Sequence, residues 1–324
     1  MRRAIGVDLG GSHAMATIVD ESGKSLFHHK ERIADLSPAA VFGVLASVIA
    51  AAIADAAGEP IDGIGIGSPG NVDPDTGMIR WSPNFHWTDV PLGDAMRAKF
   101  SLPVFIGNDA RCATLGEYVF GAGRGSKNFA LLTLGTGIGG GMVADGLLLL
   151  GHEMGAGEFG HHTIHHHSGF TCGCGRVGCF EAHGSGEGLI RHALAVARSF
   201  PRSTLFEITK EKLGAEAIRD AAQAGDGHAL AAWKNWIDDL ALGIANVIAF
   251  VNPEVIALGG GVSTAGDFML SPLRALVEAR TTTVPHTEAP RSLQRFWATM
   301  PAPSVRPRWL CVAACWRPSR RKAA

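Results

Sequence analysis

The chain has 324 residues, is 46% apolar and 18% charged, and carries a formal net charge of -1 at pH 7. That length allows one large or two medium domains with real cores, and the composition is that of a soluble globular protein. The balanced charge excludes a strongly basic nucleic-acid binder and a membrane-surface binder.

In chain order, Ala4–Asp8 is a short apolar run ending in Asp, followed by Gly10-Gly11 and then Ala14–Val19. This predicts strand, tight turn, strand. Glycines leave backbone N–H groups open where Cβ atoms would block approach, as an oligophosphate requires. Ser12 adds a hydroxyl donor, and Asp8 can hold Mg²⁺ directly or through water. The same residues also fit an ordinary hairpin turn. Ser37-Pro38 opens an Ala/Val/Ile stretch to Ala57, predicting a helix with Ser37 as N-cap and Gly58 as stop. Ile61–Gly67 reads as a buried strand before Ser68-Pro69-Gly70, and Val104–Gly107 as another.

Asn108-Asp109 then starts a helix to about Phe120. Asp is a favoured N-cap at such a point. The same position suits a catalytic base, because the helix dipole favours an ionised carboxylate. That carboxylate can take a sugar hydroxyl's proton as the alcohol attacks phosphorus, with Asn108 holding a neighbouring hydroxyl.

Leu131–Leu134 reads as a strand and Gly135–Gly141 as a turn with five Gly in seven residues, where Thr136 can donate to a phosphate. The turn is not the phosphate loop ending in Gly-Lys-Ser/Thr, nor a dinucleotide fingerprint. Asp145-Gly146 looks like a hairpin turn, and Ser185–Arg198, Ala215–Ala224 and His228–Phe250 like helices. Glu254–Leu258 is a strand stopped by Gly259-Gly260-Gly261, where a ligand ring or ribose could approach the backbone or the chain could simply turn. Ser271–Arg280 is the closing helix. Strands alternating with helices imply an α/β protein. Asp8–Ser12 and Leu134–Gly139 echo each other as strand, glycines, hydroxyl residue, strand, which suggests two related domains with a cleft between them.

The densest chemistry lies at Gly157–His161 and Cys172–Glu181. Of six Cys, three (Cys172, Cys174 and Cys179) fall within eight residues, which favours a metal over disulfides. Three Cys and one His make a closed tetrahedral Zn²⁺ site, structural because no position is left for water. His161, His162, His165, His166 and His167 compete for the fourth place, and Glu158 and Glu181 flank the ligands. A zinc knuckle can also bind nucleic acid, but that needs basic and aromatic neighbours rather than acids and Gly.

From Ala289 to Ala324 there is no Asp or Glu, while eight Arg and Lys and three of the seven Trp fall there with no helix or strand period. The expectation is a poorly structured or non-native tail from a shifted reading frame, the alternative being a basic tail that binds something acidic. No signal-peptide pattern precedes Ile5, and the longest apolar run, near Ala241–Val251, carries Asn246 and is too short to span a bilayer. A cytoplasmic location is therefore expected.

Taken together, these residues resemble the ROK family of sugar kinases and repressors, from about Ile5 to Arg280. Asp8-Leu9-Gly10-Gly11-Ser12 resembles its first phosphate motif, with Ser where Thr is commoner and His13 where Lys is often found. Ser82-Pro83-Asn84 resembles its sugar loop, one residue short before Trp87 and without the usual Gly. Asn108-Asp109-Ala110, Gly135–Gly141, Glu158-x-Gly160-His161 and Cys172-Gly-Cys174-Gly-x-x-Gly-Cys179-x-Glu181 follow in family order.

The resemblance implies two actin/hexokinase-like domains, a duplicated ribonuclease-H-like fold with an interdomain cleft: 1–115 small, 116–288 large with the zinc knuckle, 289–324 an atypical tail. It implies transfer of the ATP γ-phosphate to a hexose, usually at the 6-hydroxyl, with Asp109 as base. Asn84, Asn108, Glu158, His161 and Glu181 would hold sugar hydroxyls. Asp8, Gly10, Gly11, Ser12, Thr136, Gly137 and Gly260 would surround Mg-ATP. Zinc would be held by His161, Cys172, Cys174 and Cys179, His161 being selected because the family's His binds the metal and faces the sugar. A homodimer is implied, with no nucleic-acid or membrane partner. The family's usual C-terminal Gly/Ala-rich helix, which packs on the small domain, does not match 289–324; its loss would cost about 25 cal/mol per Å² of apolar surface uncovered.

Three functions follow: an ATP-dependent hexose kinase, a sugar-responsive transcription regulator, or a non-catalytic sugar binder. The motif at Asp8 leaves no room before it for a DNA-binding domain, and Asp109 is retained, so the kinase is expected. Glucose is the expected sugar; N-acetylglucosamine, N-acetylmannosamine, allose and fructose are the alternatives.

Overall fold

The computed structural model describes residues 2–201, 203, 205, 213–281 and, as backbone only, 297–299. The chain divides into two compact units: the first runs to Arg124 and takes back Leu148–Ala156, and the second holds Gly125–Leu147 and resumes at Gly157. The changeover lies after the helix Asp109–Phe120, which packs on strands of the first unit.

The first unit contains β1 (Arg3–Leu9), β2 (His13–Asp20), β3 (Ser25–Arg32), α1 (Pro38–Asp55), β4 (Ile64–Ser68), β5 (Asn71–Val72), β6 (Ile79–Ser82), β7 (Trp87–Val90), α2 (Leu92–Arg97), β8 (Val104–Asn108) and α3 (Asp109–Phe120). Its main sheet has the order β3-β2-β1-β4-β8, antiparallel across β3, β2 and β1 and parallel from β1 through β4 to β8. The core is formed by Ile5, Val7 and Leu9 of β1, Ile64 and Ile66 of β4, and the Val41, Leu45, Val48 and Ile49 face of α1. Each such side chain contributes about 1.5–3 kcal/mol on full burial.

Helix α1 corrects one expectation. It is 18 residues long with mean hydropathy 1.9, so by length and composition it could cross a membrane, which the Ala241–Val251 comparison overlooked. Its i, i+4, i+7, i+8 stripe is buried against the sheet, as in a core helix. Ser37 stands at the N-cap, but its hydroxyl donates to Asp35 Oδ2 at 2.8 Å rather than capping α1. Strand β3 escapes the sequence reading because His28, His29, Lys30, Glu31 and Arg32 leave no apolar alternation. The small β5-β6-β7 sheet escapes because its strands have two to four residues.

The second unit contains β9 (Phe129–Leu134), β10 (Ile138–Ala144), β11 (Leu147–Leu148, whose last residue belongs to the returning segment), α4 (Phe180–Gly184), α5 (Gly186–Val196), α6 (Ala215–Gln223), α7 (Gly227–Val251), β12 (Val255–Gly259), α8 (Asp267–Arg280) and β13 (Trp297–Thr299). Its sheet order, β11-β10-β9-β12-β13, resembles the first, with β10 antiparallel to β9 and β9, β12 and β13 parallel. The echo of the two glycine turns therefore reflects a repeated fold. Trp236, Leu240 and Ile244 of α7 pack with Leu132, Leu134, Ile256 and Leu258 as the core.

Gly139, Gly140 and Gly141 are not part of the second turn but lie in β10, paired with Thr133, Leu132 and Leu131. Helix α8 begins at Asp267, four residues before the expected start, with Pro272 inside its second turn. The expectation for 289–324, Cys311 and Cys315 included, lies outside the described residues except for β13, a short strand parallel to β12 where no strand was expected.

Candidate active site

In the first unit, parallel register sets Asp8 beside Gly67, Gly67 beside Gly107, and Ser68 beside Asn108. Asp8 and Asn108-Asp109 thus share the carboxyl end of β1, β4 and β8, where open α/β sheets present ligand-binding groups. The glycine turn is closed by Gly10 N–H donating to His13 O at 2.9 Å, leaving Gly11 and Ser12 exposed. Ser12 Oγ lies 3.0 Å from His13 Nδ1.

The N-cap of α3 is Asn108, not Asp109: Asn108 Oδ1 accepts from Arg111 N at 3.1 Å. Asp109 is the first helical residue. Its Oδ1 accepts from Ala110 N at 2.8 Å and from Asn108 Nδ2 at 3.0 Å, and Asn108 Nδ2 also donates to Gly70 O at 3.1 Å. Asn108 therefore orients the acid as well as standing beside it. Burial pushes the Cys112 thiol up to about 12, and the nearby carboxylates of Asp109 and Asp8 add to the effect. That thiol is an inert packing group. Buried Arg111, unremarked in the sequence, donates to Met154 O and to Ala156 O, the latter at 3.0 Å, and so ties down the returning segment Leu148–Ala156. A cavity of about 1000 Å³ lies beside Phe105, Asn108, Arg111 and Met154. Asn84 is exposed in the turn between β6 and β7.

In the second unit, the turn Gly135–Gly137 leaves Thr136 exposed, and Gly186 N–H donates to Gly135 O at 2.8 Å. The start of α5, capped by Ser185 Oγ accepting from Gly188 N, thus abuts the turn. Gly260 lies there too. It adopts φ +95°, and a Cβ on it would sit 2.2 Å from Leu134 O, so only glycine fits. The structure places Thr136, Gly137 and Gly260 in the loops beside Leu134.

Glu158 is exposed and precedes the turn Phe159–His161. The glycine of Glu158-x-Gly160-His161 has a packing reason: a Cβ there would meet Ile138 O at 2.4 Å and Glu181 Cβ at 3.2 Å. Glu181, on α4, joins two motifs. Its Oε2 accepts from Ile138 N at 2.9 Å, at the end of the second glycine turn, and its Oε1 accepts from the Cys172 thiol at 3.4 Å.

A ring nitrogen of His161 and the Sγ atoms of Cys172, Cys174 and Cys179 all lie within 4.8 Å of one another. The Cys172 Sγ–His161 Nδ1 and Cys174 Sγ–Cys179 Sγ separations are 3.8 and 3.6 Å. Bonds of about 2.3 Å to sulfur and 2.0 Å to nitrogen, arranged tetrahedrally, demand separations of this size. Among the competing histidines, His162 is turned to Phe159 O at 2.6 Å and His165 to Asp239 Oδ1 at 2.7 Å. Burial pushes Cys172 up to about 12, so a divalent cation at this centre is what would let the thiolates coexist. The donor set fits zinc.

The sequence profile of the ROK family matches residues 4–294. A glucokinase of Thermotoga maritima is 38% identical over 279 residues, covering 85% of this chain and 87% of that protein. The xylose repressor of Bacillus subtilis is 28% identical, covering 86% of this chain and 69% of its own. Among solved structures, a ROK family glucokinase from Streptomyces griseus in complex with glucose and AMPPNP superposes with a TM-score of 0.81 at 30% identity, covering 97% of this chain and 99% of that one.

Proposed function

The chain belongs to the ROK family, and from that premise we infer that it is an ATP-dependent sugar kinase whose acceptor is glucose. The observation that carries the reading is the first unit's acid: Asp109 at the start of α3, held by Ala110 N–H and Asn108 Nδ2, on the strand edge it shares with Asp8. The two repeated α/β units are the actin/hexokinase-like architecture of ROK kinases.

In the proposed reaction Asp109 takes the proton of the glucose 6-hydroxyl as that oxygen attacks the γ-phosphorus. The O–P bond forms while the bond to the β-phosphate oxygen breaks, and its electron pair leaves on ADP. Asn84, Glu158, His161 and Glu181 hold sugar hydroxyls, and Asn108 keeps Asp109 aligned. Gly10, Gly11, Ser12, Thr136, Gly137 and Gly260 surround the nucleotide. Asp8 would hold Mg²⁺, which neutralises phosphate charge when bound. His161, Cys172, Cys174 and Cys179 would hold zinc, a structural ion that fixes the loop between Glu158 and Glu181. Under the same proposal the protein is a cytoplasmic homodimer, the dimer being read by light scattering of the purified protein.

ADP release coupled to a reporter enzyme, measured across glucose, N-acetylglucosamine, N-acetylmannosamine, allose and fructose, tests the function. Glucose is expected to give the highest kcat/KM. No turnover on any hexose, with glucose binding retained, would overturn the kinase reading in favour of a regulator or a non-catalytic binder.

A narrower prediction concerns the nucleotide. Gly260→Ala places a Cβ against Leu134 O in a backbone conformation that alanine avoids. The strain is about 1–3 kcal/mol. The expected outcome is a raised KM for ATP with the KM for glucose little changed. An unaltered KM for ATP would remove Gly260 from the nucleotide site.

A further inference from the structure

Behind the cysteine loop lies a charged cluster that the proposed chemistry does not use. Asp239, buried on α7, faces three imidazoles from three other segments. His165 Nε2, from the stretch after His161, lies 2.7 Å from its Oδ1. His183 Nδ1, on α4 two residues beyond Glu181, lies 2.9 Å from its Oδ2, and His192 Nε2, on α5, lies 3.2 Å from the same oxygen. Burial alone would push the Asp239 carboxyl up, but the imidazoles of His183, His192 and His165 beside it hold it below the usual carboxylate range.

The far side of His183 settles its tautomer. Its Nε2 accepts the backbone N–H of Phe170 at 2.9 Å, so the ring proton sits on Nδ1 and is donated to Asp239. This pattern argues against a second metal centre. A nitrogen that carries the proton cannot ligate, and a tetrahedral ion would separate nitrogen and oxygen donors by about 3.3 Å rather than by hydrogen-bond distance.

The cluster touches the cysteine loop at several points. Phe170 stacks on His183 with ring centroids 4.5 Å apart and packs against Cys172, Cys179 and Ala182. Arg191 of α5 donates to Thr171 O at 2.7 Å. The N–H groups of Ile164 and His165 both donate to Gly178 O.

We propose that Asp239 is a positioning residue for the sugar site. By fixing the tautomer and orientation of His183 and anchoring His165, it holds the cysteine loop and Glu181 in place. The inference rests on the kinase and zinc readings above. An Asn at this position presents its NH₂ either to His165 or to the His183 and His192 side. If it faces His183, the ring must shift its proton to Nε2, where it collides with the Phe170 N–H. The loop then loses an anchor while all four cysteine and histidine ligands remain.

The test uses the full chain with Asp239→Asn, and Asp238→Asn as a control, since Asp238 is an exposed neighbour paired with Arg280. Zinc affinity, read by chelator competition, is expected to fall in Asp239→Asn, because the loop that carries the ligands loses an anchor while the ligands themselves are unchanged. The Co²⁺-loaded protein should show an altered tetrahedral-thiolate ligand-field spectrum. The KM for glucose should rise more than kcat falls, while Asp238→Asn matches wild type. Unchanged affinity, spectrum and KM in a folded Asp239→Asn would overturn the proposal. Wild-type protein that binds no zinc or does not phosphorylate glucose would instead overturn the reading beneath it. Should Asp239→Asn fail to fold, ¹⁵N spectra of wild-type imidazoles decide: a His183 ring protonated at Nδ1 supports the proposal, and one protonated at Nε2 overturns it.

Discussion

Asp109→Asn is expected to lower kcat for glucose phosphorylation by about 10²–10⁴, the usual contribution of a general base, while glucose binding and folding stay close to wild type. The amide is nearly the shape of the carboxylate but cannot take up the hydroxyl proton. The structure explains why the change should be clean. Asp109 Oδ1 acts only as an acceptor, from Ala110 N–H and Asn108 Nδ2, and an amide oxygen in the same place preserves both bonds. The cap of α3 belongs to Asn108, so the helix keeps its start. Coupled ADP release gives kcat and calorimetric titration with glucose gives Kd. A fall in both by similar factors would indicate a binding role for Asp109, and unchanged kcat would remove it from the chemistry. Asn108→Ala should act differently. It strips a helix cap worth about 0.5–2 kcal/mol and frees the Asp109 carboxylate, so stability and kcat should both fall.

The second large effect concerns the metal. One zinc per chain is expected, and its removal by a chelator should reduce glucose phosphorylation by more than about 100-fold, beyond what outer-shell changes alone cost, with recovery on adding zinc. Structural zinc binds with an apparent free energy of about 10–16 kcal/mol, more than the loop's few backbone hydrogen bonds can replace. The residues that depend on it are adjacent to it. His161 closes the turn that follows Glu158, and Cys179 is the N-cap residue of α4, which carries Glu181. Glu181 in turn accepts Ile138 N–H at the second glycine turn, so disorder in the loop would reach the nucleotide side as well. Elemental analysis and activity before and after chelation check this. A fully active, zinc-free protein would contradict it. Cys179→Ser should reproduce the chelated state without recovery.

How far the residues alone disclosed this arrangement depended on how local each signal was. The glycine turns, the strand–helix alternation and the Cys172–Cys179 spacing are short-range patterns, and each was readable without coordinates. The proposed metal donors likewise come from one short span, and the family resemblance singled out His161 among five histidines; in the structure His162 is turned to a carbonyl and His165 to Asp239. Strand β3 was hidden because its exposed edge position tolerates polar residues on both faces. Asn108 and Asp109 were readable as a pair but not in their division of labour, since either residue type can cap a helix. Asp239 was not readable at all. It is 74 residues from His165 and 56 from His183, and nothing local separates it from its exposed neighbour Asp238 in the same helix.

The most direct test of the account is the product of the reaction between glucose and ATP, analysed by phosphorus and carbon NMR with the wild-type protein. The expected spectrum shows stoichiometric ADP and a phosphomonoester coupled to carbon 6 of glucose. A phosphate on any other glucose carbon, or ATP consumed to ADP and inorganic phosphate with the sugar unchanged, would contradict the claim that this chain delivers the γ-phosphate to the 6-hydroxyl.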